Sequence, residues 1–397
     1  MSKLDELITE LCPEGVKYKK IKQVYKRLKG TPITAGKMKE IDNPNGEIRI
    51  FAGGKTVINA MEKDIPNANI TRVPAVLVQS RGVIDAVYYD KPFTFKNEMW
   101  AYTADNEIAV KYLYYVLKSN LSHFRKAASG MGSLPQISLR VTEEFVIPLP
   151  PLPVQQEIVR ILDNFTELTA ELTAELTARR KQYEYYRDLL LTFGDDVPMM
   201  ALGDICTVQS GGTPSKANHE YWDNGTIKWL GSTVCQNQKT VDEVTNYISE
   251  LGLKNSSSKL MKKETTLIAL VGATIGKVAF LPFEAAINQN IAGIYPIDTS
   301  RINPSYVFYA CSMLYSDFIG LSQGKLAMAN LSFVRGLKIP VPPLKEQERI
   351  VAILDRFDAL CNDLTSGIPA EIEARQKQYE YYRDKLLTFK ELDEKEA

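Results

Sequence analysis

Histidine is scarce in this chain of 397 residues, and the residue types that build metal centres are widely spaced. Its two histidines, His123 and His219, do not lie at a metal-ligand spacing from any cysteine. The five cysteines are scattered and odd in number, which argues against a disulfide framework and favours a reducing cytosol. No apolar run reaches about 18 residues, the length that suggests a membrane span. We therefore expect no metal site, no membrane partner and a cytoplasmic location.

The sequence also shows no recognisable catalytic motif. Two short sequences resemble such motifs, but neither matches. Residues 272–278 resemble a phosphate-binding loop, but they have one residue too few between the glycines and a valine where Ser or Thr is needed. Residues 303–306 read Asn-Pro-Ser-Tyr, which is similar to the Asn-Pro-Pro-Tyr of amino-methyltransferases. The second proline is missing there, and a helix that starts near Ser305 explains the segment better. We predict no catalytic residue in this chain.

The charged residues balance overall, with 48 basic and 48 acidic side chains, but they are unevenly distributed. Residues 1–150 contain 22 Lys and Arg against 16 Asp and Glu, whereas residues 151–194 and 341–397 carry an excess of acidic side chains. A basic surface favours a polyanionic partner, although an ordinary solvated face explains the same excess equally well. Charge alone leaves both interpretations open.

The strongest positive signal is an internal duplication. Residues 148–152, Pro-Leu-Pro-Pro-Leu, recur as Pro-Val-Pro-Pro-Leu at residues 340–344, an offset of 192 residues. Residues 179–188 recur at residues 375–384 with one substitution, and the offset there is 196 residues. The second copy therefore contains four residues more than the first. A repeat this clear indicates the domain organisation without any argument from helix or strand propensity.

The duplication divides the chain into two globular domains and two helical segments. The globular domains contain short β-branched and aromatic runs between Gly and Pro, followed by helix-like stretches at residues 110–121 and 305–319. The predicted fold class is α/β (α+β), with two domains joined by two long helical segments in a pseudo-twofold internal repeat. Predicted strands are residues 48–51, 75–78, 86–89, 266–271, 277–280 and 291–295. The predicted boundaries are 1–147 and 195–339 for the globular domains and 148–194 and 340–397 for the helical segments.

Apolar residues recur at spacings of three and four along both helical segments, which indicates partner-facing helices. A single long helix cannot bury such a stripe alone, so we expect the two segments to pack as an antiparallel coiled coil. Gly367 and Pro369 predict a break or kink in the second segment, since proline removes a helix donor and clashes with the preceding turn. The residues predicted for the spacer and partner-docking surface are Leu168, Leu172, Leu176, Tyr183, Tyr186, Leu364, Ile372, Tyr379 and Tyr382.

A four-residue unit is repeated within the first helical segment, where residues 169–172 and 173–176 both read Thr-Ala-Glu-Leu. Such a unit keeps leucine on nearly the same face of a helix. Each unit lengthens the helix by about 6 Å and turns it by about 40°. The unit is also good helix-forming sequence, so a plain structural role explains it locally as well.

The Pro-Leu-Pro-Pro-Leu-x-x-Gln-x-x-Ile pattern occurs twice, each time after a variable domain, and resembles the specificity subunit of type I restriction–modification systems. Residues 211–215, Gly-Gly-Thr-Pro-Ser, with Tyr221 and Trp222 after them, are similar to the same family. The tandem Thr-Ala-Glu-Leu units resemble the spacer repeats of some members. The first domain departs from this pattern, because Gly-Thr-Pro at residues 30–32 is not followed by a Tyr-Trp pair.

The resemblance implies a specificity subunit without catalysis of its own. In this family each variable domain, termed a target-recognition domain, reads one half of a bipartite target in double-stranded DNA. The helical segments set the separation of the half-sites and dock two methyltransferase subunits, and restriction subunits join as further partners. S-adenosylmethionine binds to the methyltransferase subunits, and ATP with Mg²⁺ serves the restriction subunits. The resemblance therefore implies no cofactor in this chain.

Residues suited to DNA contact carry basic, amide or hydroxyl groups in basic stretches or beside glycine-containing turns, because phosphates bind cations and base edges bind polar side chains. In the first domain these are Lys26, Arg27, Lys29, Thr31, Lys37, Lys39, Arg81, Ser133 and Gln136. In the second domain these are Thr213, Ser215, Lys216, Lys277, Lys325 and Asn330. Solvated surface or loop capping explains each of them about equally well.

Two other classes of function stay open at this point. One is a stand-alone adenine methyltransferase, which needs a cofactor-binding domain that the sequence does not reveal. The other is a two-headed adaptor for proteins or glycans, which should show no salt-dependent affinity for DNA.

Overall fold

The computed structural model describes residues 2–54, 56–129, 134–241, 244, 246–320, 328–363 and 365–392. The chain forms two compact units. The first unit contains residues 1–171 and 373–397, and the second contains residues 172–372. Each unit thus combines one globular part, termed its head, with the start of one helical segment and the end of the other.

Short helices and strands build the first head and lead into one long helix. In chain order they are α1 (Lys3–Leu11), β1 (Lys17–Lys20), α2 (Ile21–Val24), β2 (Lys26–Leu28), α3 (Ala35–Ile41), β3 (Ile48–Phe51), β4 (Val57–Ala60), β5 (Ala75–Gln79), β6 (Asp85–Tyr89), β7 (Phe93–Phe95), β8 (Trp100–Thr103), α4 (Glu107–Ser119), α5 (Leu121–Lys126), α6 (Leu139–Glu143), β9 (Val146–Leu149) and α7 (Leu152–Leu191).

Two sheets and a strand pair form the first head. Four antiparallel strands have the order β2-β8-β5-β6, and three strands have the order β4-β3-β7, in which β3 and β7 are parallel. β1 pairs with β9. Every residue of β5 is buried, as expected for a continuous apolar run, and α4 packs against β5 and β6. The core of this unit therefore lies between the four-stranded sheet and α4.

The second unit contains the remaining elements. In chain order they are β10 (Met199–Ala201), α8 (Leu202–Ile205), β11 (Cys206–Ser210), β12 (Ile227–Leu230), β13 (Asn246–Ile248), α9 (Glu250–Lys254), β14 (Lys259–Met261), β15 (Thr266–Ala269), β16 (Val278–Phe280), β17 (Ala285–Ile287), β18 (Ile291–Pro296), α10 (Pro304–Ser312), α11 (Tyr315–Gly320), α12 (Leu331–Gly336), β19 (Lys338–Pro340), α13 (Leu344–Asn362) and α14 (Ile368–Leu386), whose end belongs to the first unit.

The second head repeats the strand order of the first. Its antiparallel sheet has the order β11-β18-β15-β16, and its second sheet has the order β13-β12-β17-β14 with β12 and β17 parallel. β10 pairs with β19, as β1 pairs with β9. The one addition to this scheme is β14. The internal repeat predicted from the helical segments therefore extends to the heads, whose sequences are only weakly related.

The helix predicted at residues 305–319 is wrong in one respect, because the structure has two helices there, α10 and α11. Met313 ends α10 by donating its N–H to the carbonyl oxygens of Ala310 and Cys311. Both helices bury aromatic side chains in the same core, among them Tyr309 and Phe318. The apolar pattern consequently continues across the turn, and its periodicity could not reveal the break.

The first helical segment is one continuous helix, α7, whereas the second is divided into α13 and α14. The predicted break is confirmed, but Pro369 stands in the first turn of α14, where its missing N–H leaves no helix bond unmade. The carboxylate of Asp363 forms the turn by accepting a hydrogen bond from the N–H of Thr365 (2.7 Å). Gly367 is required there, because a Cβ would lie 2.6 Å from the carbonyl oxygen of Ala359.

Candidate nucleic-acid interface and helical docking surface

Two tyrosines of α4 hold the first head against the proline-rich motif and the start of α7. Tyr112 donates a hydrogen bond from its hydroxyl to the carbonyl oxygen of Pro148 (3.2 Å), and Tyr115 donates to Oδ1 of Asp163 (2.6 Å). Lys111 adds an ion pair to the same carboxylate (2.9 Å). Burial raises the pKa of both tyrosines well above the ordinary value. Their hydroxyls therefore stay protonated and act as donors.

The second unit repeats this junction with corresponding residues. Tyr306 donates to the carbonyl oxygen of Pro340 (2.9 Å), and Tyr309 donates to Oδ1 of Asp355 (2.5 Å). Lys239 pairs with the same carboxylate, although it comes from a loop rather than from a helix. Sequence reasoning missed these tyrosines. Their Tyr-x-x-Tyr spacing within a helical stretch is visible in both halves of the chain and could have revealed them.

The glutamine of the repeated pattern also has the same role in both units. The side-chain amide of Gln155 donates to the carbonyl oxygen of Pro150, and that of Gln347 donates to the carbonyl oxygen of Pro342, each at 2.8 Å. Each bond joins the first turns of a helix to the extended proline segment before it. The pattern that carried the family resemblance is therefore a structural joint between head and helix.

In each unit, the start of one helical segment packs against the end of the other. In the first unit, Phe165 of α7 stacks on Tyr382 of α14, with ring centroids 5.6 Å apart and planes at 23°. In the second unit, Phe357 of α13 stacks on Tyr186 of α7, with centroids 5.5 Å apart and planes at 26°. Pairing of start with end in both units is what an antiparallel arrangement requires. The predicted packing of the two segments is confirmed.

The predicted docking residues take part mostly in this internal packing. Tyr183 and Tyr379 contact the same two phenylalanines as Tyr186 and Tyr382. The aliphatic residues on this surface are half-buried, namely Leu168, Leu172, Leu176 and Ile372. Leu364 lies outside the described residues. The most exposed tyrosines of these segments are instead Tyr185 and Tyr381, with 64% and 63% of their surface exposed.

The structure brings Arg81 and Gln136 together on the surface of the first head, where the two residues pair through a β-bridge. Arg81 lines a cleft together with Lys39. Gln136 lines a second cleft together with Arg27 and Lys29. Five of the residues predicted to contact DNA therefore border two clefts of one head.

The other predicted residues of this head are scattered. Thr31 is buried, and its hydroxyl is hydrogen-bonded to another threonine hydroxyl at 2.6 Å, so it supports the fold instead of reaching outward. Lys37 forms an ion pair with an acidic neighbour on α3 (2.8 Å). Lys26 is exposed at the start of β2. Ser133 lies outside the described residues.

In the second head, a loop after β11 carries three of the predicted residues, Thr213, Ser215 and Lys216. Two tryptophans brace this loop. Trp222 donates its indole N–H to the carbonyl oxygen of Ser215 (3.2 Å), and its ring meets that of Trp229 edge to face at 5.3 Å. Trp222, the tryptophan of the Tyr-Trp pair in the family resemblance, thus supports this loop. Ser215 and Lys216 are exposed.

The remaining predicted residues of the second head lie elsewhere. Asn330 caps α12 by accepting a hydrogen bond from the N–H of Phe333 (2.8 Å). Lys277 follows the turn between β15 and β16, and its Nζ lies 3.4 Å from Oε1 of Gln236, a residue that the sequence did not single out. Lys325 lies outside the described residues. No single cleft gathers the predicted residues in the described part of this head.

The cysteines are poorly suited to chemistry. Cys206 and Cys235 are buried, and burial raises the pKa of each thiol to about 12. A thiol that stays protonated is a weak nucleophile and a weak metal ligand. Within the described ranges, no three His, Cys, Asp or Glu side chains are grouped as a metal site would need. Among the helices that the structure describes, none has both the length and the hydropathy to span a membrane.

Comparisons with known proteins agree on one family. Residues 13–179 and 194–374 both match the type I restriction modification DNA specificity domain. The type I restriction enzyme EcoR124I/EcoR124II specificity subunit of Escherichia coli is 41% identical over 297 residues, which cover 72% of each chain. The S subunit of a type I restriction–modification system from M. genitalium has a similar fold, with a TM-score of 0.62 at 17% identity over 94% of this chain and 96% of its own. A chain solved in work on complex assembly and conformational transition of the type I R-M system gives a TM-score of 0.54 at 17% identity over 95% and 98%. This chain therefore belongs to the family of type I restriction–modification specificity subunits.

Proposed function

We propose that this chain is the DNA-recognition subunit of a type I restriction–modification complex, in which each head reads one half of a bipartite target. The observation that carries the proposal is the contrast between the repeated scaffold and the loops on it. The strand order and the tyrosine junction recur, but residues 231–245 join β12 to β13 where residues 52–56 join β3 to β4. One scaffold with unlike loops suits two readers of two different DNA sequences.

Each head has a cation in the connection between a corresponding pair of strands. Arg81 lies between β5 and β6, and Lys277 lies between β15 and β16, which are the corresponding strand pairs. Arg81 is exposed and Lys277 is partly exposed. The bridge between Arg81 and Gln136 corresponds to the bridge between Val271 and Met328, so Lys277 lies six residues beyond the counterpart of Arg81. A cation in each of these connections fits contact with a phosphate or a guanine edge.

The ends of the two helical segments support docking of two copies of one partner. Two pairs of exposed residues differ there, Arg180 and Gln376 and also Leu189 and Lys385, but four exposed positions with a charged or aromatic side chain have the same residue in both copies. The identical pairs are Lys181 and Lys377, Glu184 and Glu380, Tyr185 and Tyr381, and Asp188 and Asp384. Exposed residues have no packing role that would keep them alike. An external partner that contacts both copies explains their identity.

The starts of the helical segments provide an internal comparison, because their exposed positions differ between the copies. These pairs are Pro153 and Lys345, Gln156 and Glu348, Arg160 and Ala352, and Asn164 and Arg356. Both parts come from the same duplication, so the time since duplication does not explain the difference. We propose that the ends, and not the starts, form the surface that binds two methyltransferase subunits.

The chemistry of the complex belongs, in this proposal, to its other subunits. S-adenosylmethionine would serve the methyltransferase subunits, and ATP with Mg²⁺ would serve restriction subunits where these are present. This chain would contribute recognition of double-stranded DNA and docking, without a catalytic residue of its own. The resemblance in sequence and the match of both halves to a specificity domain support this division of roles.

Titration of the full chain with duplex DNA at several salt concentrations tests the proposal. We expect the affinity to fall as salt rises, because cations bound to phosphates release counterions. We expect no binding of S-adenosylmethionine by the chain alone. Salt-independent affinity would favour the adaptor for proteins or glycans, and tight binding of S-adenosylmethionine would favour a stand-alone methyltransferase.

A further inference from the structure

The loop that distinguishes the second head from the first is the strongest candidate for sequence reading. Within it, residues 235–241 run along β16, and Gln238 forms a parallel bridge with Ala279. Cys235 and Lys239 are buried or partly buried, whereas Gln236, Asn237, Gln238 and Thr240 are exposed, and Asn237 is held by hydrogen bonds to Val278. The segment is therefore anchored at Cys235, Asn237 and Lys239, and it presents the side chains of Gln236 and Gln238 at the surface.

The first anchors are Cys235 and Asn237. The Cys235 side chain is completely buried in the core of the second sheet. The side chain of Asn237 accepts a hydrogen bond from the N–H of Val278 (3.0 Å), and its backbone N–H donates to the carbonyl oxygen of Val278 (2.8 Å). Its φ of 61° lies in the left-handed region, which asparagine tolerates better than most residues. The backbone between the two exposed glutamines is therefore fixed.

The next anchor is Lys239. Its ammonium group pairs with Asp355 of α13 and lies over the rings of Phe280 (5.5 Å) and Tyr309 (5.1 Å). Only 15% of its side-chain surface is exposed. The charge of this lysine is thus used inside the unit and is not offered to a ligand. The loop is tied to the same tyrosine and aspartate that join the head to the helix.

The exposed side chains of the segment carry amide and hydroxyl groups. Gln236, Gln238 and Thr240 line a polar cleft with Thr233 and Asn246. Gln236 donates to the carbonyl oxygen of Thr233 (2.9 Å). For the Gln238 side chain, the described part of the chain offers no hydrogen-bond partner. An amide held at a fixed place and left unused inside the protein is available to a ligand.

The chemistry of these groups suits the edge of a base. A glutamine amide donates and accepts at once, which matches N7 and the N6 amino group of adenine in the major groove. Positions 236 and 238 are at most about 7 Å apart, the length of two residues of extended chain. The two side chains therefore reach no further apart along DNA than about two base-pair steps of 3.4 Å. Lys277, beside Gln236, supplies a cation for a neighbouring phosphate.

We propose that residues 236–240 are the base-reading segment of the second head, in which Gln238 binds an adenine of its half-site and Lys277 binds the adjacent backbone phosphate. This inference rests on the proposed function of the chain as a DNA reader. Beyond that function, it identifies the loop of the second head that reads the bases and the base that Gln238 recognises. In the first head, the shorter loop at residues 52–56 meets the turn that carries Arg81, since the N–H of Gly54 donates to the carbonyl oxygen of Arg81 (3.2 Å).

Methylome sequencing of cells that express the chain with its methyltransferase subunit tests the inference. We expect Gln238→Ala to relax one position of the second half-site, with about a tenfold to hundredfold loss of discrimination for adenine, and to leave the first half-site and the gap unchanged. Gln156→Ala, which alters an exposed glutamine at the start of α7, is the matched control and should leave the whole motif unchanged.

A second variant keeps the test valid if the alanine variant does not fold. Gln238→Glu has nearly the same shape but only accepts hydrogen bonds, so it should shift the preference at that position from adenine towards cytosine, whose N4 amino group donates. If both variants write the same motif as the parent chain, the inference is wrong and the proposed function stands. If the parent complex writes no two-part motif, the proposed function itself fails.

Discussion

At the scale of single residues, Asp358 of α13 has the environment least suited to its charge. Burial raises the pKa of its carboxyl group, the nearby carboxylate of Asp355 adds to the effect, and Lys239 opposes it. The side-chain amide of Asn362 donates one hydrogen bond to it (3.0 Å). The corresponding residue of the first helical segment is the neutral Thr166. A neutral side chain is therefore compatible with this position of the repeated helix.

We expect Asp358→Asn to stabilise the protein at neutral pH. An acid whose pKa is raised on folding holds its proton more tightly in the folded state, so the folded state loses stability as the pH rises through that pKa. Asparagine removes this loss and keeps an acceptor for Asn362. The gain should shrink as the pH falls to about 4, where the free carboxyl group is half protonated.

Urea unfolding at pH 7 and at pH 4 measures this difference. Asp195→Asn, at an exposed position of the same unit, is the control and should change little at either pH. An equal gain for Asp358→Asn at both values of pH would show that the charge of Asp358 is not the cause.

Residue-level predictions from the sequence were weakest where the role depends on distant partners. Thr31 has a suitable hydroxyl next to a basic stretch, yet it is buried against a strand more than sixty residues later. Gln238 lies in a segment with no motif, and only the contacts of its neighbours with Val278 and Asp355 make it a presented side chain. Polarity of a residue is local information, whereas its orientation depends on long-range packing.

At the scale of elements, the helical segments were predictable because the apolar period and the repeat are both local. The packing of start against end was predictable as well, since a half-apolar helix needs a partner. The break between α10 and α11 at residues 313–314 could not be predicted, because both helices bury apolar residues in the same core and the apolar pattern continues across the turn. The length and course of the loop at residues 231–245 also could not be foreseen, since its anchors come from β16 and α13.

The repeated ends of the helical segments make a prediction about stoichiometry. Tyr185 and Tyr381 each expose a large amphipathic ring, and Leu189 is also exposed one helical turn after Tyr185. Exposed aromatic rings are typical of interface anchors. We expect Tyr185→Ala or Tyr381→Ala to weaken the binding of one methyltransferase subunit by roughly 2 kcal/mol, about thirtyfold, and the double variant to weaken both. Mass photometry of the assembled complex would show a shift from two bound subunits to one and then to none.

Variants at the starts of the segments control for general damage. Gln156→Ala and Arg356→Ala alter exposed positions that differ between the copies, so two subunits should still bind. Loss of a subunit with these variants, and none with the tyrosine variants, would place the docking surface at the starts. Folding is checked on the isolated chain, where Tyr185 and Tyr381 contribute little because both rings are mostly exposed.

At the scale of the whole molecule, α7 and α14 each run from one unit into the other. The Thr-Ala-Glu-Leu units of α7 lie at the boundary between the units, which falls between Glu171 and Leu172. The hydroxyls of Thr169 and Thr177 donate to the carbonyl oxygens four residues earlier, both at 2.9 Å, so these threonines are accommodated within the helix. A change of helix length at this place moves a head together with its helix, and does not alter the surface of either head.

We expect deletion of residues 173–176 to change the preferred gap between the half-sites and to leave both half-site sequences unchanged. The deletion shortens α7 by about 6 Å and rotates the remainder of the helix by about 40°. It also increases the difference in length between the two helical segments from four residues to eight, because the first segment is already the shorter one. The interruption between the end of α13 and the start of α14 gives the second segment a place to absorb the change.

Methylome sequencing gives the gap directly. One unit is comparable in length to one or two base pairs at 3.4 Å each, so the methylated motif should contain a gap shorter by that amount. Insertion of one further Thr-Ala-Glu-Leu unit is the opposite control and should lengthen the gap. An unchanged gap in both variants would mean that α7 does not set the separation. Altered half-site bases would mean that the reading surfaces of the heads extend to this helix.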